Sequence, residues 1–156
     1  MQVVWCLQDY RLRGSPLYQT AMDKNTTGRA GEFFAAYTLE RYGIECHHVD
    51  REGADLWCKA RGGPMFTVQV KTATKPSLNN HINGTKYFYY SYALSAKPFD
   101  YFCFVALDRG LIRLLPRDRY PTQKSVNFSD DAFTAELQDN DISIIFGGRD
   151  GRPASG

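Results

Sequence analysis

Two alternating segments joined by a tight turn constrain the fold of this chain most strongly. The segments are "ADLWCKA", residues 54–60, and "MFTVQVK", residues 65–71, and each sends its side chains alternately to two sides. Between them stands "RGGP", whose glycines and proline are typical of a hairpin turn. We therefore expect an antiparallel pair of strands.

The expected register of this hairpin brings several polar side chains together. With the turn centred between Gly62 and Gly63, the numbers of opposed residues sum to about 125. Asp55 then lies opposite Val70 and is flanked by Gln69 and Lys71. A single bulge would change which side each residue faces, but the three polar side chains are able to converge.

The segment "NTTGRAGEFFAAYTLERYG" is the clearest helix. Thr26 or Thr27 is expected to cap it, and Gly43 to end it. Counted from Glu32, the positions on one side of the helix are small and apolar, which predicts close packing on a sheet; they are Ala35, Ala36 and Leu39. Glu32 lies at the N-terminal end of this buried stripe, where a glutamate is unusual unless it has a function.

The remaining segments extend the sheet. The chain favours strands at "IECHHV", "FDYFCFVAL", "GLIRLLP" and "ISIIFGG", and a short strand at residues 3–7. "KYFYYSYAL" fits a strand by its aromatic content and a helix by its spacing, and residues 75–86 are expected to be a loop. We predict one α/β domain over residues 1–148 and a disordered tail over residues 149–156.

Composition and charge limit the class of protein. A length of 156 residues with 43% apolar content suits one domain with a core. The net charge of +2 neither requires nor excludes a nucleic-acid partner. A basic stretch over residues 109–124 precedes an acidic stretch over residues 130–141, and we interpret them as two solvated faces.

The cysteines and the apolar segments indicate the cellular setting. The four cysteines are isolated, and Cys58 and Cys103 stand within apolar runs where a free thiol acts as a small core residue. The first residues lack the pattern of a secretory signal, and no apolar run is long enough to span a bilayer. We expect a reducing, cytoplasmic location and no membrane partner.

The converging residues suit metal-assisted hydrolysis of a phosphodiester. Oxygen atoms from Asp55 and a neighbour can hold Mg²⁺ together with several waters. Lys71 can orient the attacking water or offset the negative charge that develops on the phosphate. Glu32 can reach the outer shell of the metal or a second ion.

The order and spacing of these segments resemble the PD-(D/E)XK nuclease superfamily. "TTGRAGEFFAAYTLERYGI" resembles its first helix, "REGADLW" the strand with its Asp, and "FTVQVKTA" its (D/E)-x-Lys strand. Further on, "FDYFCFVAL" and "LIRLLP" resemble two later strands, so the likeness covers about residues 26–116. Small members with Gln-x-Lys include intron-encoded homing endonucleases, whereas archaeal-type Holliday-junction resolvases usually keep Glu-x-Lys.

The resemblance implies a restriction-endonuclease-like core, in which helices flank a central mixed β-sheet, and a role for each site residue. Asp55 would be the principal metal ligand, with the Gln69 amide oxygen and the Val70 carbonyl as further ligands. Lys71 would be the catalytic lysine and Glu32 the acid from the helix. The cofactor would be Mg²⁺, for which Mn²⁺ can substitute. Gln69 departs from the family pattern, because a neutral ligand holds a hard cation less well than a carboxylate.

The resemblance also implies the partners. The substrate would be double-stranded DNA, cut by a homodimer or a higher homo-oligomer, because one such site cuts one strand. Arg29, Lys75 and Lys86 flank the proposed site and are candidates for phosphate contacts, with ordinary surface cations as the alternative. His47 and His48 are adjacent on a strand and therefore face opposite ways.

Four functions remain open at this stage. The first is a Mg²⁺-dependent DNA endonuclease of homing or phage type, and the second is a Holliday-junction resolvase. The third is a catalytically inactive nucleic-acid-binding module on the same fold, which the neutral Gln69 motivates. The fourth is a structural phage or toxin-system protein that shares only the order of the strands.

Overall fold

The computed structural model describes residues 23–51, 53–78, 84–92, 98–120 and 124–147. The strand expected at residues 3–7 and the tail expected at residues 149–156 lie outside these ranges. The helices and strands are α1 Lys24–Arg41, β1 Ile44–Arg51, β2 Ala54–Ala60, β3 Met65–Ala73, β4 Ser77–Leu78, β5 Lys86–Ser91, β6 Tyr101–Ala106, β7 Leu111–Pro116, β8 Ser125–Ser129 and α2 Ala135–Ser143.

The strands in the described ranges form two sheets. The larger has the order β1-β2-β3-β6-β7, with β3 and β6 parallel and the other neighbours antiparallel. The smaller is antiparallel and has the order β4-β5-β8. The prediction of an α/β fold around a central mixed sheet is therefore confirmed.

The β2–β3 hairpin forms as predicted, but its register differs by one residue. Leu56 pairs with Val68 and Lys59 with Met65, so opposed residues sum to 124. The turn is centred on Gly62, whose φ of +74° is in the left-handed region that glycine adopts without a steric penalty. Continuing this register places Asp55 across from Gln69 rather than from Val70.

The cap of helix α1 lies three residues before Thr26, the earlier of the two predicted caps. Asp23 caps it, because its carboxylate accepts the N–H of Thr26 at 2.7 Å, so the prediction of Thr26 or Thr27 was wrong. The helix ends at Arg41, and Gly43 follows with a φ of +79°. The predicted apolar stripe is confirmed as buried, and it comprises Ala35, Ala36 and Leu39.

Strand β6 lies between the two cores of the domain. All of its residues after Tyr101 are buried, as expected for a central strand. Cys103 and Val105 belong to the core on the side of α1, whereas Phe102 and Phe104 belong to an aromatic core under the smaller sheet. The domain is therefore layered as helix, large sheet and small sheet.

Several local predictions were wrong or incomplete. "ISIIFGG" is not a strand: Thr134 caps α2, whose last turn includes Ile142 and Ser143, and a 3₁₀ turn follows at Ile144–Phe146. Strand β8 was not anticipated, and β4 lies within the expected loop. The ambiguous aromatic segment is strand β5, because it alternates between buried and exposed side chains.

The basic and acidic stretches do not form two separate solvated faces. The Arg113 Nε lies 2.5 Å from a carboxylate oxygen of Asp141, and both side chains are almost buried. Arg109 forms a more exposed ion pair with Asp130. The two stretches attach β7 and the turn before it to the C-terminal segment.

The two cysteines predicted to lie in the core, Cys58 and Cys103, are buried as free thiols. Cys46 lies directly across from Cys58, with the two sulfur atoms 3.3 Å apart. Within the described ranges, no helix is long and apolar enough to cross a membrane.

Candidate active site

A cleft of about 610 Å³ opens between the first turns of α1, the second half of β3 and the strand β5. Four of the described residues that were predicted to be catalytic or to bind metal line it together: Glu32, Asp55, Val70 and Lys71. Glu32 comes from the helix, Asp55 from the start of β2, and the other two from β3. The predicted convergence of these elements is therefore present in the tertiary structure.

Asp55 is held by the backbone of the neighbouring strand. Its Oδ2 accepts the N–H of Val70 at 2.6 Å. Backbone pairing at this end of the hairpin stops at Leu56 and Val68, so the carboxylate takes the place of a carbonyl in the ladder. Because the N–H and C=O of one strand residue point to the same side, the Val70 carbonyl faces the same side as this carboxylate.

Asp55 and Lys71 share a partly desolvated environment. Burial raises the pKa of Asp55, against the opposing effects of the Val70 N–H, Lys71 and His48. Burial lowers the pKa of Lys71, against the opposing effects of Asp55 and Glu32. Each group therefore favours the charged form of the other, as in a site that handles ionic substrates or ions.

Glu32 reaches the cleft from the helix and lies beside a histidine. Its Oε2 is 3.8 Å from the Nδ1 of His48, whose ring also contacts the ring of Phe33. The His47 ring instead lies beside Glu45, with its Nε2 2.9 Å from the Oε1 of that residue. The expectation that the two histidines face opposite ways is confirmed, and one of them adjoins the cleft.

Gln69 has a different environment from the other four residues. It is 9% exposed, and its Oε1 is buried without a hydrogen-bond partner among the described residues. It is not among the residues that line the cleft. Gln69 thus lies across from Asp55 on the neighbouring strand, but its side-chain oxygen is enclosed by protein. Its role as a metal ligand stays a prediction.

The donor atoms available to a metal are few. Among the described residues, no three His, Cys, Asp or Glu side chains converge as a metal-binding cluster. The cleft itself presents two carboxylates, Glu32 and Asp55. A cation here would therefore depend on Asp55, on backbone and amide oxygens, and on waters or substrate phosphate.

The three predicted phosphate contacts are not equivalent. Lys75 lines the cleft, whereas Arg29 and Lys86 are exposed and lie outside its lining. Sequence reasoning missed Lys24, which lines the cleft from the first turn of α1, while Tyr89 of the aromatic segment lines it from β5. A signal for Lys24 was its position next to the capping residue Asp23, because the first helical turn borders the site.

A bacterial homing endonuclease, I-Ssp6803I, has a similar solved structure. The TM-score is 0.58 at 16% sequence identity, over 70% of this chain and 78% of that chain. This chain shares the fold of that homing endonuclease. No protein-family model matches the sequence, and no curated protein matches it. The homing-endonuclease fold therefore rests on the arrangement of helices and strands, since so few residues are identical.

Proposed function

We propose that this chain is a Mg²⁺-dependent endonuclease of homing or phage type that hydrolyses phosphodiester bonds in double-stranded DNA. The observation that carries the proposal is the meeting of Asp55, the Val70 backbone and Lys71 in one cleft, with Glu32 facing them. The similarity in fold to a homing endonuclease supports the same reading. The resemblance of the sequence to the PD-(D/E)XK superfamily, with Gln69 in place of the acidic residue, agrees with it.

The donor atoms fit Mg²⁺. The Asp55 carboxylate, the Val70 carbonyl and the Gln69 amide are all oxygen donors, and Mg²⁺ in proteins commonly takes one or two carboxylates and keeps several waters. The Gln69 oxygen is buried without a protein partner. Such an atom costs free energy, which a bound ligand would recover. Mn²⁺ accepts similar ligands and is expected to substitute.

Each side chain then has a separate task. When bound, Mg²⁺ would polarise the phosphate and lower the pKa of a water molecule. Lys71 donates hydrogen bonds to the phosphate oxygens as negative charge develops on them. Burial lowers the pKa of its amine, while Asp55 and Glu32 act in the opposite direction and favour the charged form. The Val70 N–H keeps the Asp55 carboxylate in one orientation. Glu32 offers a second carboxylate that orients water at the helix side of the cleft.

The proposal also includes a homodimer or higher homo-oligomer, because a duplex has two strands and one cleft cuts one of them. Lys75, on the wall of the cleft, is suited to hold a phosphate, with Arg29 and Lys86 further along the surface.

A catalytically inactive nucleic-acid-binding module is the second candidate. It is favoured by the neutral Gln69 and by the lack, within the described residues, of three converging metal-binding side chains. On this reading the cleft binds DNA phosphate without cleaving it.

The test is cleavage of long genomic DNA with Mg²⁺ by the natural chain and by Lys71→Ala. We expect the substitution to lower the rate by about 10²-fold or more, because the charge on the phosphate loses its stabilisation. Lys59→Ala is the matched control, since Lys59 is exposed on the same hairpin and outside the cleft lining. Equal cutting by the natural chain and Lys71→Ala would refute the mechanism. DNA binding that persists in EDTA, without cutting in Mg²⁺ or Mn²⁺, would favour the inactive module.

A further inference from the structure

One face of the smaller sheet carries only uncharged polar side chains. On β5 the residues Phe88 and Tyr90 are buried in the aromatic core, and on β8 Val126 and Phe128 pack against it. The alternate residues therefore point away from that core. Together with Ser77 of β4 they form what we call the polar sheet face, which consists of Ser77, Tyr87, Tyr89, Ser91, Ser125, Asn127 and Ser129.

The register arranges these residues in rows across the strands. Tyr87 lies between Ser77 and Ser129, Tyr89 pairs with Asn127, and Ser91 pairs with Ser125. Tyr89 is 54% exposed, and Asn127 and Ser91 are exposed as well. The hydroxyl of Ser129 is engaged by Asp131. The accessible hydrogen-bonding groups are thus centred on the Tyr89–Asn127 pair.

Two exposed lysines stand at opposite ends of the β5–β8 ladder, where alternation places them on the core side rather than on the polar sheet face. Lys86 begins β5, and Lys124 immediately precedes β8. Because β5 and β8 are antiparallel, these residues lie at the two ends of a ladder of five residue pairs, about 17 Å long. The Lys124 carbonyl accepts the N–H of Tyr92 at 2.9 Å, which holds that end in place. Each end of the ladder therefore carries a lysine outside the polar sheet face, and the Lys86 end also carries Asp130, which is paired with Arg109.

The polar sheet face is continuous with the candidate active site. Ser77, Tyr89 and Ser91 line the same cleft as Asp55 and Lys71. A duplex that places a phosphodiester bond in the cleft therefore lies beside Tyr89 and Ser91, from which the polar sheet face continues to β8.

We propose that the polar sheet face reads base edges in the major groove of duplex DNA, with Asn127 and Tyr89 as specificity-determining residues. This inference rests on the proposed nuclease function. The major groove is about 12 Å wide and admits a two-stranded antiparallel ribbon. An asparagine amide can pair with adenine through two hydrogen bonds, and hydroxyl groups can donate to or accept from several bases.

The charge distribution agrees with this occupant better than with a second protein. Contacts to phosphate position a protein on DNA, while contacts to base edges specify the sequence. The neutral residues of the polar sheet face suit the second task, and the exposed Lys86 and Lys124 beyond its ends are candidates for the first. A protein interface would have a more apolar centre than a row of serines, an asparagine and tyrosine hydroxyls.

The test is the selection of bound duplexes from a randomised pool with Ca²⁺ present, so that binding is measured without cleavage. The natural chain is compared with Asn127→Ala, Tyr89→Phe and the control Lys124→Ala. We expect Asn127→Ala to lose base preference at one or two positions and to bind the selected sequence about tenfold more weakly. Its affinity for a random duplex should change less than about twofold. Lys124→Ala should weaken both duplexes equally and lower the salt dependence by about one counterion.

The outcomes separate this inference from the proposed function. If Asn127→Ala and Tyr89→Phe select the same sequence with the same affinity as the natural chain, the inference is wrong and the nuclease proposal stands. DNA cleavage without any sequence preference would likewise refute the inference and leave the nuclease proposal standing. If the natural chain binds no duplex at all, both proposals fail. A change of sedimentation mass in either variant, with DNA preference unchanged, would make this face an interface between copies and refute the inference. Thermal unfolding of each variant confirms that it is folded.

Discussion

The carboxylate of Asp55 accepts the backbone N–H of Val70 at 2.6 Å, and this bond joins the start of β2 to the middle of β3. This hydrogen bond takes the place of a backbone-to-backbone hydrogen bond at the point where the pairing of the two strands ends. A carboxylate held in this way keeps a fixed orientation beside the Val70 carbonyl. The geometry makes Asp55 the first residue to test for metal binding.

Asp55→Asn should abolish most of the increase in the free energy of unfolding that Mg²⁺ binding gives to the natural chain. The amide keeps the shape and can still accept the Val70 N–H, but it lacks the charge that attracts the cation. For the natural chain, Mg²⁺ at ten times its dissociation constant should raise the free energy of unfolding by about 1.4 kcal/mol. Thermal unfolding with and without Mg²⁺ measures this difference.

Asp118→Asn is the matched control, since Asp118 lies at the other end of the sheet, beside Pro116 and Arg117. It should retain the full Mg²⁺ effect. An Asp55→Asn protein that Mg²⁺ stabilises as much as the natural chain would exclude Asp55 as a ligand.

Gln69→Glu should strengthen Mg²⁺ binding and weaken the metal-free fold. A second carboxylate beside Asp55 should lower the dissociation constant for Mg²⁺ by about tenfold, which equals about 1.4 kcal/mol. Without metal the new charge is buried with little compensation, which lowers the free energy of unfolding. A Mg²⁺ titration by calorimetry, with unfolding in EDTA, gives both quantities.

Gln69→Leu removes the amide group but keeps a side chain of similar volume, so it tests the contribution of the amide alone. It removes an oxygen that has no protein partner, so the metal-free stability should change little. If Gln69→Glu and Gln69→Leu both bind Mg²⁺ as the natural chain does, Gln69 takes no part in the metal site.

Gly31→Ala should destabilise the domain because α1 and β3 are in close contact at this position. A methyl group at Gly31 would come within 1.8 Å of the Thr72 hydroxyl and 2.7 Å of its Cβ. The helix or the strand must then shift, at a cost of about 1–3 kcal/mol. Since Glu32 and Lys71 are the neighbours of these residues, cleavage should fall as well. Urea unfolding and a cleavage assay measure the two effects.

Gly28→Ala is the control on the same helix, because nothing lies within 4 Å of its added methyl group. The higher helix propensity of alanine should leave the stability unchanged or raise it by up to about 1 kcal/mol. Equal stability of the two variants would contradict the close contact of Gly31 with Thr72.

Arg113→Met should lower the free energy of unfolding by about 3–5 kcal/mol, because it leaves the Asp141 carboxylate buried without its ion-pair partner. Asp141 also accepts the N–H of Leu114 at 3.2 Å, so its environment anchors α2 to β7. Arg109→Met is the comparison, since its pair with Asp130 is exposed and worth about 1 kcal/mol or less. Similar urea-unfolding curves for the two variants would mean that burial of the pair does not matter.

The candidate site was largely predictable because its parts are local. Asp55, Gln69 and Lys71 lie on one hairpin, and consecutive residues show both the alternation of its apolar and polar side chains and its turn. Glu32 followed from the apolar stripe of one helix. The one-residue difference in register arose because the turn is centred on Gly62, and the choice of turn centre depends on backbone conformation rather than on alternation.

Other features had no local signal. Strand β8 is short and mostly polar, and it is held as a strand by pairing with β5. The segment after Ile142 has a β-branched pattern, yet the cap at Thr134 and packing of the helix on β7 make the preceding residues helical. The burial of Gln69 likewise depends on its position across from Phe102 of β6.

The sequence by itself determined the class of fold, the hairpin, the helix that carries Glu32 and the central strand, because alternation and helical periodicity follow from the covalent geometry of consecutive residues. Only the tertiary structure decided which oxygens face the cleft, that Arg113 pairs with Asp141, and that a polar sheet face adjoins the site. These features depend on contacts between residues far apart in the chain, and such contacts are selected by packing of the whole domain rather than by any short segment.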